Sequence, residues 1–253
     1  MRVVGAFAAS LLDLVAEMIE PGINTGDIDR LVDSETRKRG AISAPLGYPQ
    51  GSQHPFPKHC CTSVNHVVCH GIPSDSHVLR EGDIINVDVT PIIDGFHGDT
   101  SRTFLVGAVD PEVRRLVDDT YESMRLGIAA VKPGGTVGDI GHAIQKFAEA
   151  RGHGVVTDFA GHGIGRTFHG PPTISPVGRP GQGVLIVPGM TFTVEPMINM
   201  GGNRHCRILD DHWTVETLDR SLSAQFEHTL TVTKTGVDIL TLSEGQTLDL
   251  STS

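Results

Sequence analysis

Val4, Phe7, Leu11, Leu14, Val15 and Met18 recur at the spacing of one face of a helix, with Asp13 and Glu17 between them. Pro21-Gly22 then stops that helix. The layout returns further along: "EPGINTGDIDR" (residues 20–30, then Arg39-Gly40) reappears as "KPGGTVGDIGH" (residues 132–142, then Arg151-Gly152). Pro21 matches Pro133, Gly26 matches Gly138, Asp27 matches Asp139 and Gly40 matches Gly152, all at an offset of 112 residues. Each copy reads as a helix, a Pro-Gly stop, a Gly-Asp start and a second helix. Arg37, Lys38 and Arg39 close the second helix of the first copy, where they favour its dipole.

The pattern after each helix pair changes from a period of 3.6 to a period of two. In "EGDIINVDV" (81–89), Ile85, Val87 and Val89 alternate with Asn86, Asp88 and Thr90; in "PGMTFTVEP" (188–196), Phe192 and Val194 alternate with Thr191, Thr193 and Glu195. Aligned, the two strands place Asp88 opposite Glu195. Each is followed by a second acid-bearing strand: "HGDTSRTFLVG" with Asp99, and "SAQFEHTLTV" with Glu227. The chain therefore reads as one α+β domain over 1–253, with half-repeats at about 5–110 and 112–240. A mostly antiparallel, curved sheet shared by pseudo-two-fold halves, with the helices outside, is the economical arrangement.

Turn chemistry brings the acids together. Asp94-Gly95 is a hairpin signal; with those two residues in the turn, Ile93 pairs with Phe96 and Asp99 lies opposite Thr90, a diagonal neighbour of Asp88. Four carboxylates on one concave face repel one another and resist desolvation, which divalent cations would relieve. "FAGHGIGRTFHGPP" (159–172) supplies two histidines on a glycine frame, His162 and His169. Four carboxylates and one imidazole suit a pair of hard-to-borderline divalent ions.

Composition narrows the classes. The 253 residues, 38% hydrophobic and 20% charged, are those of a globular chain. A net charge of −10 with no basic run argues against general nucleic-acid binding and suits a cationic ligand such as a peptide amino terminus. Four cysteines without CxxC pairing fit a reducing cytoplasm, and no apolar run approaches the ~20 residues of a membrane span.

With these motifs in place the chain resembles the type I methionine aminopeptidases of the pita-bread metallopeptidase family. The resemblance runs from "MRVVG" to "ILTL" through "VCHGIP" (68–73), "INVDVTPIIDGFHGDTSRTF" (85–104), "GHGIGRTFH" (161–169), "PGMTFTVEPM" (188–197) and "DDHWTVETLDRSLSAQFEHT" (210–229). It implies a pita-bread fold and removal of the initiator methionine when the second residue is small. It further implies two divalent cations (cobalt, manganese, iron or zinc) on Asp88, Asp99, His162, Glu195 and Glu227, activating a water. Glu195 is then the proton acceptor, His169 the hydrogen-bond partner of the scissile carbonyl, and His70 the partner of the leaving nitrogen. By the same resemblance Tyr48, Phe56, Cys61, Cys69, Phe168 and Trp213 form the methionine pocket, and Asn65, Val67 and Ser223 a structural monovalent-cation site.

The expected partner is the amino terminus of a nascent protein, met at the ribosome by a cytoplasmic monomer. Two departures stand out. The chain begins inside the family's "MRxAG" pattern, and "PQGSQHPFPKH" (49–59) is longer than the usual loop. The nearest alternative is an X-Pro aminopeptidase or dipeptidase of the same fold, which typically carries an extra N-terminal domain. From another class, the alternative is a catalytically silent binding protein, which would be expected to lose ligands.

Overall fold

The computed structural model describes residues 1–251. Four helices form: α1 (Arg2–Met18), α2 (Thr25–Lys38), α3 (Pro111–Ala129) and α4 (Val137–Ala150). The buried stripe of α1 is Val4, Ala8, Leu11, Leu12 and Val15, so Leu12 rather than Leu14 completes the apolar face; Leu14 is on the rim. Both second helices start on a reciprocal cap. Asn24 and Asp27 exchange bonds at α2, and Thr136 and Asp139 do the same at α4. Ahead of them, Gly22 donates to the Leu79 carbonyl and Gly134 to that of Ile186, both at 2.9 Å. α3 opens on Asp110 with Pro111 in its first turn, where a missing N–H costs nothing.

The main sheet has eight antiparallel strands: β1 (Cys61–Val64), β2 (Ile84–Val89), β3 (Thr100–Leu105), β4 (Gly161–Gly163), β5 (Gly170–Ile174), β6 (Thr191–Val194), β7 (Glu227–Val232) and β8 (Val237–Ile239). They run β5-β4-β6-β7-β3-β2-β1, with β8 on β7. Three small three-stranded sheets flank it.

Apolar side chains on one face of this sheet meet the helices. Ile85, Val87 and Val89 of β2 join Leu11, Leu12, Val15, Ile28 and Val32 of α1 and α2; Phe192 and Val194 of β6 join Met124, Ile128, Ile140 and Ile144 of α3 and α4. Each such side chain contributes roughly 1.5–3 kcal/mol when fully buried. Gly127 lets α3 approach closely, since a Cβ there would run into the Ile144 side chain. Gly127→Leu would push α3 off that core. With one face committed to the helices, the period of two sends the alternate residues to the concave side.

Asp94 and Gly95 both have positive φ, 53° and 77°, and the predicted register holds: Ile93 pairs with Phe96, Asp88 with Ser101 and Val89 with Thr100. The expected long strands are, however, divided. The run from 81 enters the sheet only at Ile84, and residues 91–93 and 96–97 leave it to pair among themselves and with Ile42–Ser43. "SAQFEHTLTV" switches partner at Phe226: Ser223–Gln225 pairs with Met197–Asn199, while β7 pairs with β6 and β3. Pro196, which has no N–H to donate, breaks the "PGMTFTVEP" strand at the corresponding point. Glu195 and Glu227 therefore sit at the two places where the chain changes sheets.

Candidate metal centre and cavity

Five side chains converge on the floor of one cavity, of about 320 Å³: Asp88 near the end of β2, Asp99 just ahead of β3, His162 at the middle of β4, Glu195 just past β6, and Glu227 at the start of β7. The glycines around His162 have a geometric purpose. A Cβ on Gly161 would strike the Thr193 carbonyl and one on Gly163 that of Pro171, so only glycine lets β4 lie between its neighbours with His162 facing inward.

Hydrogen bonds fix the acids individually. Thr90 donates to Asp99 Oδ1 (2.7 Å); Thr193 donates to Glu195 Oε1 (2.7 Å) and Gln225 Nε2 to Glu195 Oε2 (3.4 Å). His162 Nε2 is 3.5 Å from Asp99 Oδ2 and 3.6 Å from Glu195 Oε1, and its Nδ1 meets the Gly163 carbonyl at 3.2 Å. Ligand atoms of Asp99, His162 and Glu227 all lie within 4.8 Å of one another. Asp88 Oδ1 is buried without any hydrogen-bond partner.

The electrostatics are those of too many negative charges in too little water. Burial, and then the charges of Asp99 and Glu195, push Asp88 well above the usual carboxylate range. Burial raises Glu195 to about 7 against the opposing charge of His162. Burial followed by Asp99 and Glu195 raises Glu227. For His162, burial opposes protonation, but the Asp99 bond with the Glu195 and Asp99 charges outweighs it and lifts the ring to about 9. The polypeptide alone can quiet this cluster only by collecting protons. An orphaned buried carboxylate oxygen beside three further acids and an imidazole is the donor set that divalent cations fit.

Comparison with known proteins agrees with that chemistry. Residues 1–234 match the model of metallopeptidase family M24. The chain belongs to metallopeptidase family M24. Among M24 relatives, it is 56% identical to methionine aminopeptidase A of Synechocystis sp. over 244 residues, 96% of this chain and 94% of that one. It is 49% identical to the methionine aminopeptidase of Escherichia coli strain K12 over 249 residues, 98% and 92% of the two chains. Its fold superposes on the crystal structure of methionine aminopeptidase from Rickettsia prowazekii with a TM-score of 0.91, at 50% identity and with 95% of each chain covered. The fold is accordingly the pita-bread fold, with a curved antiparallel sheet and outer helices.

Above the acids, the cavity of this M24 chain is walled by Tyr48, Phe56, Cys61, Phe168 and Trp213, with Phe159 and Met197 added. Cys69 is one layer back, buried in the cluster that contains Met197, and does not line the cavity. Phe56, in the long 49–59 loop, is buried edge-on against Trp213 at 5.2 Å, and the Trp213 Nε1–H donates to the His54 carbonyl at 3.0 Å. His70, with φ of 55°, sets its ring edge-on to Phe159 and Trp213. Burial lowers its pKa to about 4, so it is neutral at pH 7. His169 is at the mouth, lowered to about 4 by burial and then by His162, with Nδ1 2.8 Å from the Tyr48 hydroxyl.

The sequence did not single out Thr90, Phe159, Met197, Thr193 or Gln225. Thr90 was within reach, since the hairpin register already placed it opposite Asp99. Nothing local marks Phe159 or Gln225.

Proposed function

We propose that this chain is a methionine aminopeptidase, cleaving the initiator methionine from polypeptides whose second residue is small. The observation that supports this most is the convergence of Asp88, Asp99, His162, Glu195 and Glu227 under one apolar-walled cavity open to a peptide end. Divalent ions bound there would supply Lewis acidity and lower the pKa of a water so that nucleophile exists at neutral pH. The protein's own groups divide the remaining work. Glu195, held by Thr193 and Gln225, takes the proton of the attacking water on a carboxylate oxygen. His169, neutral, donates to the scissile carbonyl as its oxygen gains charge. His70, neutral and enclosed by aromatic rings, meets the nitrogen of the leaving amine. Tyr48, Phe56, Cys61, Phe168 and Trp213 hold the thioether against aromatic rings and a thiol, which favours sulfur over a plain alkyl chain. Cys69 supports that wall from behind.

Metal identity follows from supply as much as affinity, and manganese, iron, cobalt and zinc all suit this donor set. We further infer two equivalent units, about 5–110 and 112–240, from the matched caps at Asn24 and Thr136 and the matched Gly22 and Gly134 bonds. A monovalent cation near Asn65, Val67 and Ser223 is supported by the buried Ser223 hydroxyl, which has no partner. The setting proposed is the cytoplasm, at the emerging ends of nascent chains; among the described residues no helix is long and apolar enough to cross a membrane.

The test is release of methionine from Met-Ala-Ser by protein reconstituted with Mn²⁺, Fe²⁺ or Co²⁺, against an X-Pro peptide. Methionine release at the higher kcat/KM is expected. Faster X-Pro cleavage would transfer the chain to the proline-specific branch of the fold. No release from either peptide would support a silent binding protein.

A further inference from the structure

Two histidines seven residues apart in one segment have different partners at the same ring atom. The Nδ1 of His162 meets a backbone carbonyl, which only accepts; the Nδ1 of His169 meets the Tyr48 hydroxyl, which can also donate. A neutral imidazole has one donor and one acceptor, so the Nδ1 partner decides what the other nitrogen offers to the cavity. For His162 the carbonyl requires Nδ1–H; without metal Nε2 carries a proton toward Asp99 and Glu195 as well, and loss of that proton would give a divalent ion the Nε2 lone pair.

We propose that Tyr48 is a positioning residue: its phenol donates to His169 Nδ1, holding the ring as the Nε2–H tautomer and leaving a hydrogen-bond donor on the side facing the substrate. The inference rests on the reading of His169 as the group that meets the scissile carbonyl. A phenol O–H is a better donor than a neutral imidazole N–H, and an imidazole nitrogen a better acceptor than a phenol oxygen. Neither the Tyr48 hydroxyl nor His169 Nε2 has any other hydrogen-bond partner among the described residues. The opposite arrangement, Nδ1–H to the phenol oxygen, would present a lone pair to a carbonyl oxygen and repel it.

Packing keeps the pair in place. The His169 ring stacks on Phe168 at 3.9 Å, meets His162 edge-on at 4.3 Å and Tyr48 at 5.0 Å. The Tyr48 backbone is held on both sides. Its N–H donates to Pro45 (3.0 Å), its carbonyl accepts from Phe56 (2.8 Å), and Gly47 donates to the Phe56 carbonyl (2.8 Å). Trp213, bonded to the His54 carbonyl, pins the loop at a second point. The 49–59 loop thus gains a purpose: Phe56 within it holds the backbone of Gly47 and Tyr48.

The decisive measurement is long-range ¹H–¹⁵N correlation on metal-free protein with ¹⁵N-labelled histidine at pH 7, with His169 assigned by comparison with His169→Ala. The expected result is a protonated Nε2 and an acceptor-type Nδ1 for His169 in the native chain, and a tautomer mixture in Tyr48→Phe. A protonated Nδ1 in the native chain would overturn the proposal, as would a tautomer unchanged by Tyr48→Phe. In Mn²⁺-loaded protein acting on Met-Ala-Ser, Tyr48→Phe keeps the ring and should lower kcat about tenfold with KM within about twofold. The same substitution in a His169→Ala background should cost nothing further. A raised KM at unchanged kcat would make Tyr48 a wall residue only. Absence of turnover in the native chain would defeat the aminopeptidase reading but not the tautomer result, so the two failures are distinguishable.

Discussion

Glu227 and His228 are adjacent on β7, and Asp99 and Thr100 are adjacent where the strand beside it begins, yet the two faces of this pair solve burial differently. Behind the sheet the polar groups next to these acids have companions. His228 Nδ1 meets the Thr241 hydroxyl at 2.9 Å, Thr100 donates to the Glu227 carbonyl at 2.7 Å, and Arg102 pairs with Asp13, which also accepts from Ser243. In front, Asp88 retains an oxygen with no partner, and Asp88, Glu195 and Glu227 are all driven toward protonation. Buried polarity alone therefore does not mark a site. Buried charge that the chain leaves unbalanced does, because selection for stability alone would have removed it.

The largest expected effect comes from breaking the front face. His162→Ala or Glu195→Ala should lower kcat/KM on Met-Ala-Ser by about 10³-fold or more, with titration calorimetry showing weakened Mn²⁺ binding. His70→Ala and His169→Ala should also cost turnover, but with metal affinity nearly intact. Near-normal activity in either ligand variant would refute the proposed centre; metal loss in a His70 or His169 variant would reassign that histidine.

The two faces should also respond to pH with opposite signs. In front, folded pKa values lie above those of the unfolded chain, and Glu195 is at about 7. Their stabilising contribution is complete below the unfolded values near 4 and is lost as pH rises through the folded ones. Chelated protein should therefore lose stability from about pH 4.5 to 7 on the front-face account, and Mn²⁺ should cancel that loss. Asp88→Asn should raise the Tm of chelated protein by a few degrees at pH 7 and abolish most of the rise that Mn²⁺ produces. An Asp88→Asn Tm at or below that of the native chain would show that the front face is not electrostatically strained.

Much of this contrast was legible in the sequence. Period-two alternation assigned Asp88, Thr193 and Glu195 to the face opposite Val87 and Val194, and Asp94-Gly95 set the register that put Asp99 across from Thr90. The parts that escaped are those decided by tertiary packing. Pro196 and Phe226 do not announce that the chain changes sheets beside them, because a partner switch depends on which neighbouring strand is in reach. Tyr48 and His169 are 121 residues apart, and no periodicity links a loop tyrosine to a loop histidine. Cys69 matched the pocket motif yet lies behind the wall, since a motif fixes identity along the chain and not depth in the fold.

Behind the sheet the pH effect should be smaller and reversed. Burial, with Arg102 second, lowers His228 to about 4, against an unfolded value near 6.5. Its contribution is present above the unfolded value and is lost as pH falls from about 6.5 toward 4. His228→Gln keeps a hydrogen bond within reach of Thr241 and removes the titration. Its Tm, subtracted from that of the native chain at pH 7 and pH 5, should show the variant gaining a few degrees at the lower pH. A constant difference between the two pH values would mean that His228 protonates without penalty.

The smallest effect separates a third kind of buried polarity, neither closed like the back nor overcharged like the front. Ser223 pairs with Asn199 across two short strands, and the Ser223 hydroxyl and both polar atoms of the Asn199 amide are buried with no partner. These groups carry no charge, so a divalent ion would be over-strong for them; a monovalent ion would satisfy the hydroxyl and nearby carbonyls at little cost in desolvation. Replacing choline chloride with potassium chloride at equal ionic strength should raise the Tm of the native chain by about 1–3 °C. Ser223→Ala should remove that difference while leaving methionine release within about twofold. Equal Tm values in the two salts would leave Ser223 and Asn199 as polar groups satisfied by water, and the monovalent site would be withdrawn.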